Sequence, residues 1–333
     1  MAIDLDGVSK LGFGCMRFTG REDDTIDIAY TADMIDRYLA AGGNYFDTAW
    51  AYPNSETALR EALVKRHPRD SFFIADKCVA WTHCNSADDL ERQLTESLEN
   101  LGVDCIDLYL MHNLGGNRTA AFEKYDAWEF VKSVKERGFS AHCTPEELED
   151  LIAAYPEAEV VQLQVNYLDW DSPSFREREC VEVARRHGKP VIVIEPVKGG
   201  ILADPPQAVK DILDAGMPDD SYATAALRFS ASVDGVITTL SGMSTVEQVE
   251  DNCRAFADFK PLTDDELAVI GNAQRAMEAS GTIPCTGCDY CAKVCPVGAI
   301  SGELRKTYTI DASKCIKCGA CMEKCRFNAI SRK

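Results

Sequence analysis

The chain has 333 residues, of which 46% are hydrophobic, and a net charge of -19. The length suits a βα barrel of about 250 residues with one small module, and the hydrophobic fraction supports a globular core. The acidic charge argues against nucleic acid as a partner, because phosphates would repel it. The first residues show no basic stretch followed by an apolar run, and no segment has about 18 consecutive apolar residues. We therefore predict a cytoplasmic protein that does not contact a membrane.

Predicted strands and helices alternate along most of the chain, which indicates parallel βα units and predicts a (β/α)8 TIM barrel. Strands are predicted in residues 11–18, 44–47, 72–77, 105–112, 159–165, 190–195 and 236–240. Helices are predicted in residues 25–39, 56–66, 86–101, 121–137, 206–214, 221–230 and 264–279, and a further helix is predicted to start at Pro145 with Thr144 as its cap.

The fifth strand of the barrel is predicted to be truncated. The helix predicted for residues 121–137 is followed at once by Gly138, Phe139 and Ser140, so little chain remains for a strand before the next helix cap at Thr144.

Four reactive side chains stand at or just beyond the ends of three successive predicted strands. Asp47 ends one strand and Tyr52 follows it by five residues, while Lys77 and His112 end the next two. In a βα barrel the carboxyl ends of the strands meet at one face, where the chemistry of the fold is placed. These four side chains can therefore converge on one point.

The segments around these residues resemble blocks of the aldo-keto reductase family, in family order, over roughly residues 1 to 280. The matching segments read NYFDTAWAYPNSE, IADK, DLYLMH, GFSAH, VVQLQVNYLDW and VITTLSGMSTVEQVEDN. The resemblance implies a catalytic tetrad of Asp47, Tyr52, Lys77 and His112. It also implies NADP(H)- or NAD(H)-linked conversion between a small carbonyl compound and its alcohol.

In this interpretation Tyr52 gives a proton to the carbonyl oxygen. An unperturbed phenol, with a pKa of about 10, is a poor acid at pH 7, so a nearby ammonium must stabilise the phenolate. Lys77 can supply that charge with Asp47 as its partner, and His112 would orient the carbonyl oxygen. The alternative is that Asp47 and Lys77 form a structural ion pair while Tyr52 and His112 only pack.

The resemblance also implies cofactor contacts. Two departures from the family pattern accompany them: Gln248 stands where NADP-preferring members usually have an arginine, and Ile194-Glu195-Pro196 stands where many have a tyrosine that stacks on the nicotinamide. The implied contacts are Ser140, Gln162 and Asn166 at the nicotinamide end, and Gly242, Met243, Ser244, Thr245, Gln248 and Asn252 at the adenosine end.

The tail contains two runs of cysteines with the spacing CxxCxxCxxxC. The runs are Cys285, Cys288, Cys291 and Cys295, and Cys315, Cys318, Cys321 and Cys325. They resemble a two-cluster bacterial ferredoxin, in which each [4Fe-4S] cluster takes three cysteines from one run and the fourth from the other. Zinc is the alternative, but a structural zinc site needs only four ligands in paired CxxC units.

Two domains are thus predicted: residues 1–280 as the barrel and residues 281–333 as a small α+β ferredoxin-like domain. From residue 285 onward, nine Lys or Arg stand against four Asp or Glu, a surplus of +5, so residues 1–284 carry -24. The primary interpretation is an iron-sulfur aldo-keto reductase. The alternative is an electron-transfer protein that uses an external one-electron donor or acceptor, with a flavin such as FMN in the barrel as the link to the clusters.

Overall fold

The computed structural model describes residues 7–18, 25–82, 84–134, 136–173, 175–279, 285, 287, 290–303, 307–316, 318–325 and 329–330, apart from the side chains of residues 117, 323 and 324. The chain divides into two compact units. One comprises Met1–Pro196 with Leu227–Leu262, and the other comprises Val197–Ala226 with Thr263–Lys333. The predicted domain boundary at residue 280 lies outside the described residues and stays a prediction.

The first unit contains a closed barrel of eight parallel strands, in which each strand pairs with its neighbour in sequence. The barrel closes where β8 pairs with β1, for example at Phe13 and Ser241. This confirms the predicted (β/α)8 fold. The strands are β1 (Leu11–Gly14), β2 (Tyr45–Asp47), β3 (Phe73–Cys78), β4 (Leu108–Leu114), β5 (Arg137–Ala141), β6 (Val160–Gln164), β7 (Val191–Ile194) and β8 (Val236–Ser241).

An apolar cluster contributed by six of the strands fills the barrel. Its buried members are Tyr45, Ala75, Leu108, Leu110, Val160, Ile192 and Leu240. Because side chains alternate across a strand, residues two positions further along share the inward face. Asp47, Lys77, His112 and Gln162 stand at those positions, so the barrel interior changes from apolar to polar toward the carboxyl ends of the strands.

Helices connect the strands. The strongest local start signal is at α6, where Thr144 and Glu147 form a capping box ahead of Pro145. The helices of the first unit are α1 (Ile28–Ala40), α2 (Ser55–Leu59), α3 (Asp88–Leu101), α4 (Asn117–Lys124), α5 (Ala127–Ser133), α6 (Pro145–Ala154), α7 (Glu177–Arg186) and α10 (Val246–Phe256), while α9 (Tyr222–Ser232) belongs partly to each unit. A π-helical turn, Arg60–Val64, extends α2.

The prediction of one helix over residues 121–137 is wrong. The segment forms α4 and α5, which are separated at Asp126, whose φ of 48° is left-handed and cannot continue a helix. Arg137 already belongs to β5 and pairs with Tyr109 of β4. Because the strand starts inside the predicted helix, β5 has five residues, as many as β6, and is not truncated.

In the second unit, α8 (Gln207–Gly216) packs against α11 (Asp264–Ala279), which has the predicted bounds. The tail forms α12 (Tyr290–Lys293) and α13 (Ala320–Lys324), with a small antiparallel sheet of β9 (Ile300–Ser301) and β10 (Thr309–Ile310). Across the described residues, no helix combines the length and the apolar character that crossing a membrane requires.

Candidate active site

A buried ion pair lies at the carboxyl ends of β2 and β3. The ammonium of Lys77 donates to Asp47 Oδ1 at 2.5 Å and to the carbonyl oxygen of Thr48 at 2.6 Å. The two charged side chains are only 1% and 5% exposed. Burial by itself lowers the pKa of Lys77, but the negative charge of Asp47 and the hydrogen bond to it help to outweigh burial, and the pKa lies above its ordinary value. Lys77 is therefore a cation at neutral pH.

Tyr52 stands above this pair in the turn that follows β2. Its backbone N–H donates to the carbonyl of Ala49 at 2.8 Å, and the Lys77 Nζ atom lies 5.3 Å from the centre of its ring. Burial raises the pKa of the Tyr52 phenol, the charge of Lys77 lowers it, and the net direction is upward. The expected effect of the ammonium is present, but desolvation is larger, so the phenol keeps its proton at neutral pH.

His112 completes the group. Its ring lies edge-on to that of Tyr52, with 5.6 Å between the ring centres. Trp81 donates its indole N–H to the His112 carbonyl oxygen at 2.9 Å. Burial and the charge of Lys77 hold the pKa of His112 well below its usual range, so the ring is neutral. Its Nδ1 atom is buried and has no hydrogen-bond partner among the described residues.

The residues predicted at the nicotinamide end are all buried, but their side chains have different partners. Gln162 donates to Asp47 Oδ2 at 2.8 Å, which joins it to the ion pair. Ser140 Oγ accepts the backbone N–H of Asn113 at 2.7 Å. The Asn166 carboxamide instead donates to Asp169 and Glu177, at 3.1 and 3.2 Å. The structure thus brings Gln162 to the tetrad, whereas the hydrogen bonds of Asn166 are made to acidic residues that follow β6.

The loop predicted for the adenosine end leads from β8 into α10. Thr245 caps this helix by accepting the N–H of Gln248. The Gln248 side chain folds back, and its Oε1 atom accepts the N–H of Ser244 at 2.7 Å. Tyr30 Oη accepts the N–H of Val246 at 3.0 Å. Several N–H groups that the sequence had suggested for phosphate binding therefore already have partners within the chain.

The other residues of this loop lie against neighbouring backbone or side chains. Met243 is fully buried, and Asn252 donates to Ser241 Oγ at 3.0 Å. A Cβ atom on Gly242 would lie 2.9 Å from Cδ of Arg17, and Ser244 Oγ donates to the Arg17 carbonyl at 2.8 Å. The Arg17 side chain therefore lies over Gly242, and a Cβ atom at this position would force it to shift.

Sequence reasoning assigned no role to Arg17 or Gln164. Arg17 has no local signal, because its contact with Gly242 joins residues far apart in the chain. Gln164 could have been found, since it stands two positions after Gln162 on the same strand face. Its carboxamide donates to the buried carboxylates of Asp169 and Glu177, at 3.0 and 2.8 Å.

The strand ends fit a bound polar cofactor. Besides His112 Nδ1, Asn113 Oδ1 is buried without a partner among the described residues. The last residue of β1, Gly14, is also close to the β8 loop, because its Cβ position lies 3.4 Å from the Ser241 carbonyl oxygen and 3.5 Å from Gly242 N. Unpartnered buried polar atoms are costly in native proteins. A ligand that supplies hydrogen bonds here would remove that cost.

Three described cysteines of the tail have surroundings that suit the predicted ligand, although the described residues hold no group of three or more side chains placed to bind one metal ion. The Sγ atoms of Cys295 and Cys325 accept the N–H groups of Ala299 and Ala329, both at 3.3 Å, and Cys285 Sγ accepts that of Gly287 at 3.4 Å. Backbone N–H groups lower the pKa of Cys295, which favours the thiolate that iron binds. Cys288 lies outside the described residues.

The barrel and its Asp-Lys-Tyr-His group define a (β/α)8-barrel oxidoreductase. The model of the Aldo/keto reductase family matches residues 10–274, and that of a 4Fe-4S dicluster domain matches residues 284–329. An aldo-keto reductase of Mycolicibacterium vanbaalenii is 30% identical over 70% of this chain and 79% of its own length. An oxidoreductase of Bacillus subtilis is 24% identical over 80% of this chain and 92% of its own length. The chain belongs to the aldo/keto reductase family and has an iron-sulfur domain after the barrel, as predicted.

Solved structures have the same fold. The holo form of an aldo-keto reductase from Bacillus halodurans is 26% identical, covers 80% of this chain and 92% of its own, and superposes with a TM-score of 0.64. An aldo/keto reductase from Klebsiella pneumoniae, solved with NADP and acetate, is 20% identical. It covers 81% of this chain and 92% of its own, and has a TM-score of 0.62.

Proposed function

We propose that this protein reduces a small aldehyde or ketone, with NADPH or NADH as the hydride donor and Tyr52 as the proton donor. The observation that carries the proposal is the buried ion pair of Lys77 and Asp47 beneath the Tyr52 phenol, with the neutral ring of His112 beside it. A cation, a proton-bearing phenol and a neutral imidazole together match what carbonyl reduction needs at the carbonyl oxygen.

When bound, the reduced cofactor supplies a hydride to the carbonyl carbon. The carbonyl oxygen accepts hydrogen bonds from the Tyr52 hydroxyl and from the N–H of His112. As the proton leaves Tyr52 Oη for that oxygen, the ammonium of Lys77 stabilises the phenolate that remains. Asp47, which also accepts from Gln162, holds Lys77 in position. Solvent then returns a proton to Tyr52.

The residues that would hold the cofactor are those at the ends of β5, β6 and β8. Ser140, Gln162 and Asn166 would contact the nicotinamide end. The adenosine end would contact the β8–α10 loop, with Arg17 as a further cation over Gly242. The loop residues are Gly242, Met243, Ser244, Thr245, Gln248 and Asn252.

The function is tested by steady-state reduction of a panel of small aldehydes and ketones with NADPH and with NADH. Tyr52→Phe is expected to lower kcat by at least about a hundredfold, the usual contribution of a general acid, while cofactor binding changes little. Tyr222→Phe is the matched control, because its hydroxyl lies on the exterior and donates to Asp214. Near-normal turnover by Tyr52→Phe would refute the role given to this phenol.

The tail is proposed to hold two [4Fe-4S] clusters. One cluster would be bound by Cys285, Cys288, Cys291 and Cys325, and the other by Cys315, Cys318, Cys321 and Cys295. The match to a dicluster domain supports the presence of clusters, and the N–H groups directed at cysteine sulfur support cysteine as their ligand, while the division of the cysteines between two clusters rests on their spacing. The clusters would exchange single electrons with an external donor or acceptor, and residues 281–333 would form their domain.

A second function follows from the presence of the cluster domain. Clusters transfer one electron at a time, whereas a nicotinamide transfers a hydride, so a flavin such as FMN would be needed to couple them inside the barrel. The primary proposal expects no flavin in the supernatant when protein purified without oxygen is denatured. Stoichiometric flavin fluorescence there would favour an electron-transfer enzyme in which the clusters supply the barrel.

A further inference from the structure

Glu195 follows the last residue of β7 and has an uncommon backbone conformation. Its φ is 56°, in the left-handed region that non-glycine residues other than Asn and Asp rarely adopt. Ile192 and Ile194 of β7 face the barrel interior, so an extended continuation would direct residue 195 away from it. The left-handed φ breaks that alternation. Such conformations persist only where the surrounding structure enforces them, and they cluster at functional sites.

The carboxylate of Glu195 is half-buried, yet it forms no hydrogen bond and no ion pair with any residue that the structure describes. The neighbouring acids differ in this respect. Asp47 is held by Lys77 and Gln162, and Glu177 accepts from Gln164 and Asn166. Glu195 is nevertheless close enough to Tyr52 for its charge to contribute, after burial and Asp47, to the raised pKa of that phenol. A carboxylate thus lies near the proton donor without a hydrogen-bonded or ion-paired cation of its own among the described residues.

If the protein has the proposed function, the chemistry of carbonyl reduction identifies the group that the Glu195 carboxylate would face. The proton from Tyr52 and the hydride are added to two atoms of one carbonyl group, which are about 1.2 Å apart. The ring that gives the hydride must therefore lie within a few ångströms of Tyr52, in the region that Glu195 borders. Loss of the hydride leaves that ring with a positive charge, whereas the reduced ring is neutral.

We propose that Glu195 is the counter-ion of the oxidised nicotinamide ring and a catalytic residue for hydride transfer. The electron pair moves with the hydride to the carbonyl carbon, and the proton moves from Tyr52 to the carbonyl oxygen. One positive charge then remains on the ring and one negative charge on the phenolate. Lys77 stabilises the phenolate, and Glu195 stabilises the ring. The two opposite charges of the product state each have a partner before the reaction starts.

The test measures equilibrium binding, so it requires no substrate. Dissociation constants for NAD+, NADH, NADP+ and NADPH are determined by calorimetry with the complete protein. In Glu195→Gln, the oxidised forms are expected to bind about tenfold more weakly and the reduced forms less than twofold, as fits the loss of one close charge pair in a partly solvated site. Glu61→Gln is the matched control, because Glu61 pairs with Lys65 on an exposed helix surface and loses the same charge.

Glu195→Asn gives an independent measurement, since Asn tolerates the left-handed backbone and also lacks the charge. It is expected to show the same selective loss, with folding checked by circular dichroism. Equal weakening of oxidised and reduced forms in both variants would overturn the inference and leave Glu195 a structural residue, while the proposed function would stand. A wild-type protein that binds none of the four nucleotides would refute the proposed function and the inference with it.

Discussion

The substitution Lys77→Met tests the buried ion pair most directly. It keeps an unbranched side chain of similar length and removes the ammonium that lies 2.5 Å from Asp47. The Asp47 side chain is only 5% exposed, so solvent cannot replace the lost charge, although Gln162 still donates to its other oxygen. Removing one partner of a buried ion pair costs about 3–5 kcal/mol, because the remaining charge is uncompensated.

For a chain of this size, with an unfolding entropy of about 2.1 cal/mol/K per residue, that cost corresponds to a fall in Tm of roughly 4–7 °C. The assay is thermal unfolding followed by near-ultraviolet circular dichroism, on protein purified without oxygen. The double variant Lys77→Met/Asp47→Asn is expected to regain at least about half of the loss, because it no longer buries an unpaired carboxylate.

Lys65→Met is the matched control. Lys65 pairs with Glu61 at the same distance of 2.5 Å, but these side chains are 52% and 43% exposed. Exposed pairs of this kind on a helix contribute about 0.3–0.5 kcal/mol, so this variant is expected to melt close to the wild type. If Lys77→Met melts no lower than Lys65→Met, or if the double variant melts below the single one, the reasoning about burial is wrong.

Three further predictions concern other parts of the molecule. Burial holds the pKa of His112 below its unfolded value of about 6.5, so the unfolded chain binds a proton that the folded chain does not. The free energy of unfolding should therefore fall as the pH decreases below about 6.5, by up to about 1.4 kcal/mol per pH unit. His112→Gln should lack this contribution, and parallel curves of Tm against pH for the two proteins would contradict it. Gln248→Arg should raise the affinity for NADPH relative to NADH by about tenfold in calorimetry, since a guanidinium can bind the 2′-phosphate that an amide cannot neutralise. An unchanged ratio of the two affinities would contradict the contact of residue 248 with the adenosine end. Cys318→Ala should lower the iron content from about eight to about four atoms per chain, with the exposed Cys105→Ala as control; unchanged iron would exclude Cys318 as a ligand.

The sequence was sufficient where the physical cause is local. The alternation of strands and helices predicted the barrel, and the strand-end positions of Asp47, Lys77 and His112 predicted that these side chains would meet. Spacing predicted the iron-sulfur domain in the same way, because the cysteines of a cluster loop are close in sequence. The capping box at Thr144 and the full extent of α11 also depend on neighbouring residues.

Only the tertiary structure decided the features that depend on contacts between distant segments. Gln162 reaches Asp47 across 115 positions of the chain, and Arg17 covers Gly242 from the opposite end of the barrel sequence. The early start of β5 depends on its pairing with β4, which the helical pattern of residues 121–137 does not show. Likewise, the net rise in the pKa of Tyr52 follows from burial that only the closed barrel provides. Each of these interactions joins segments that meet only in the folded barrel, so no local pattern encodes it.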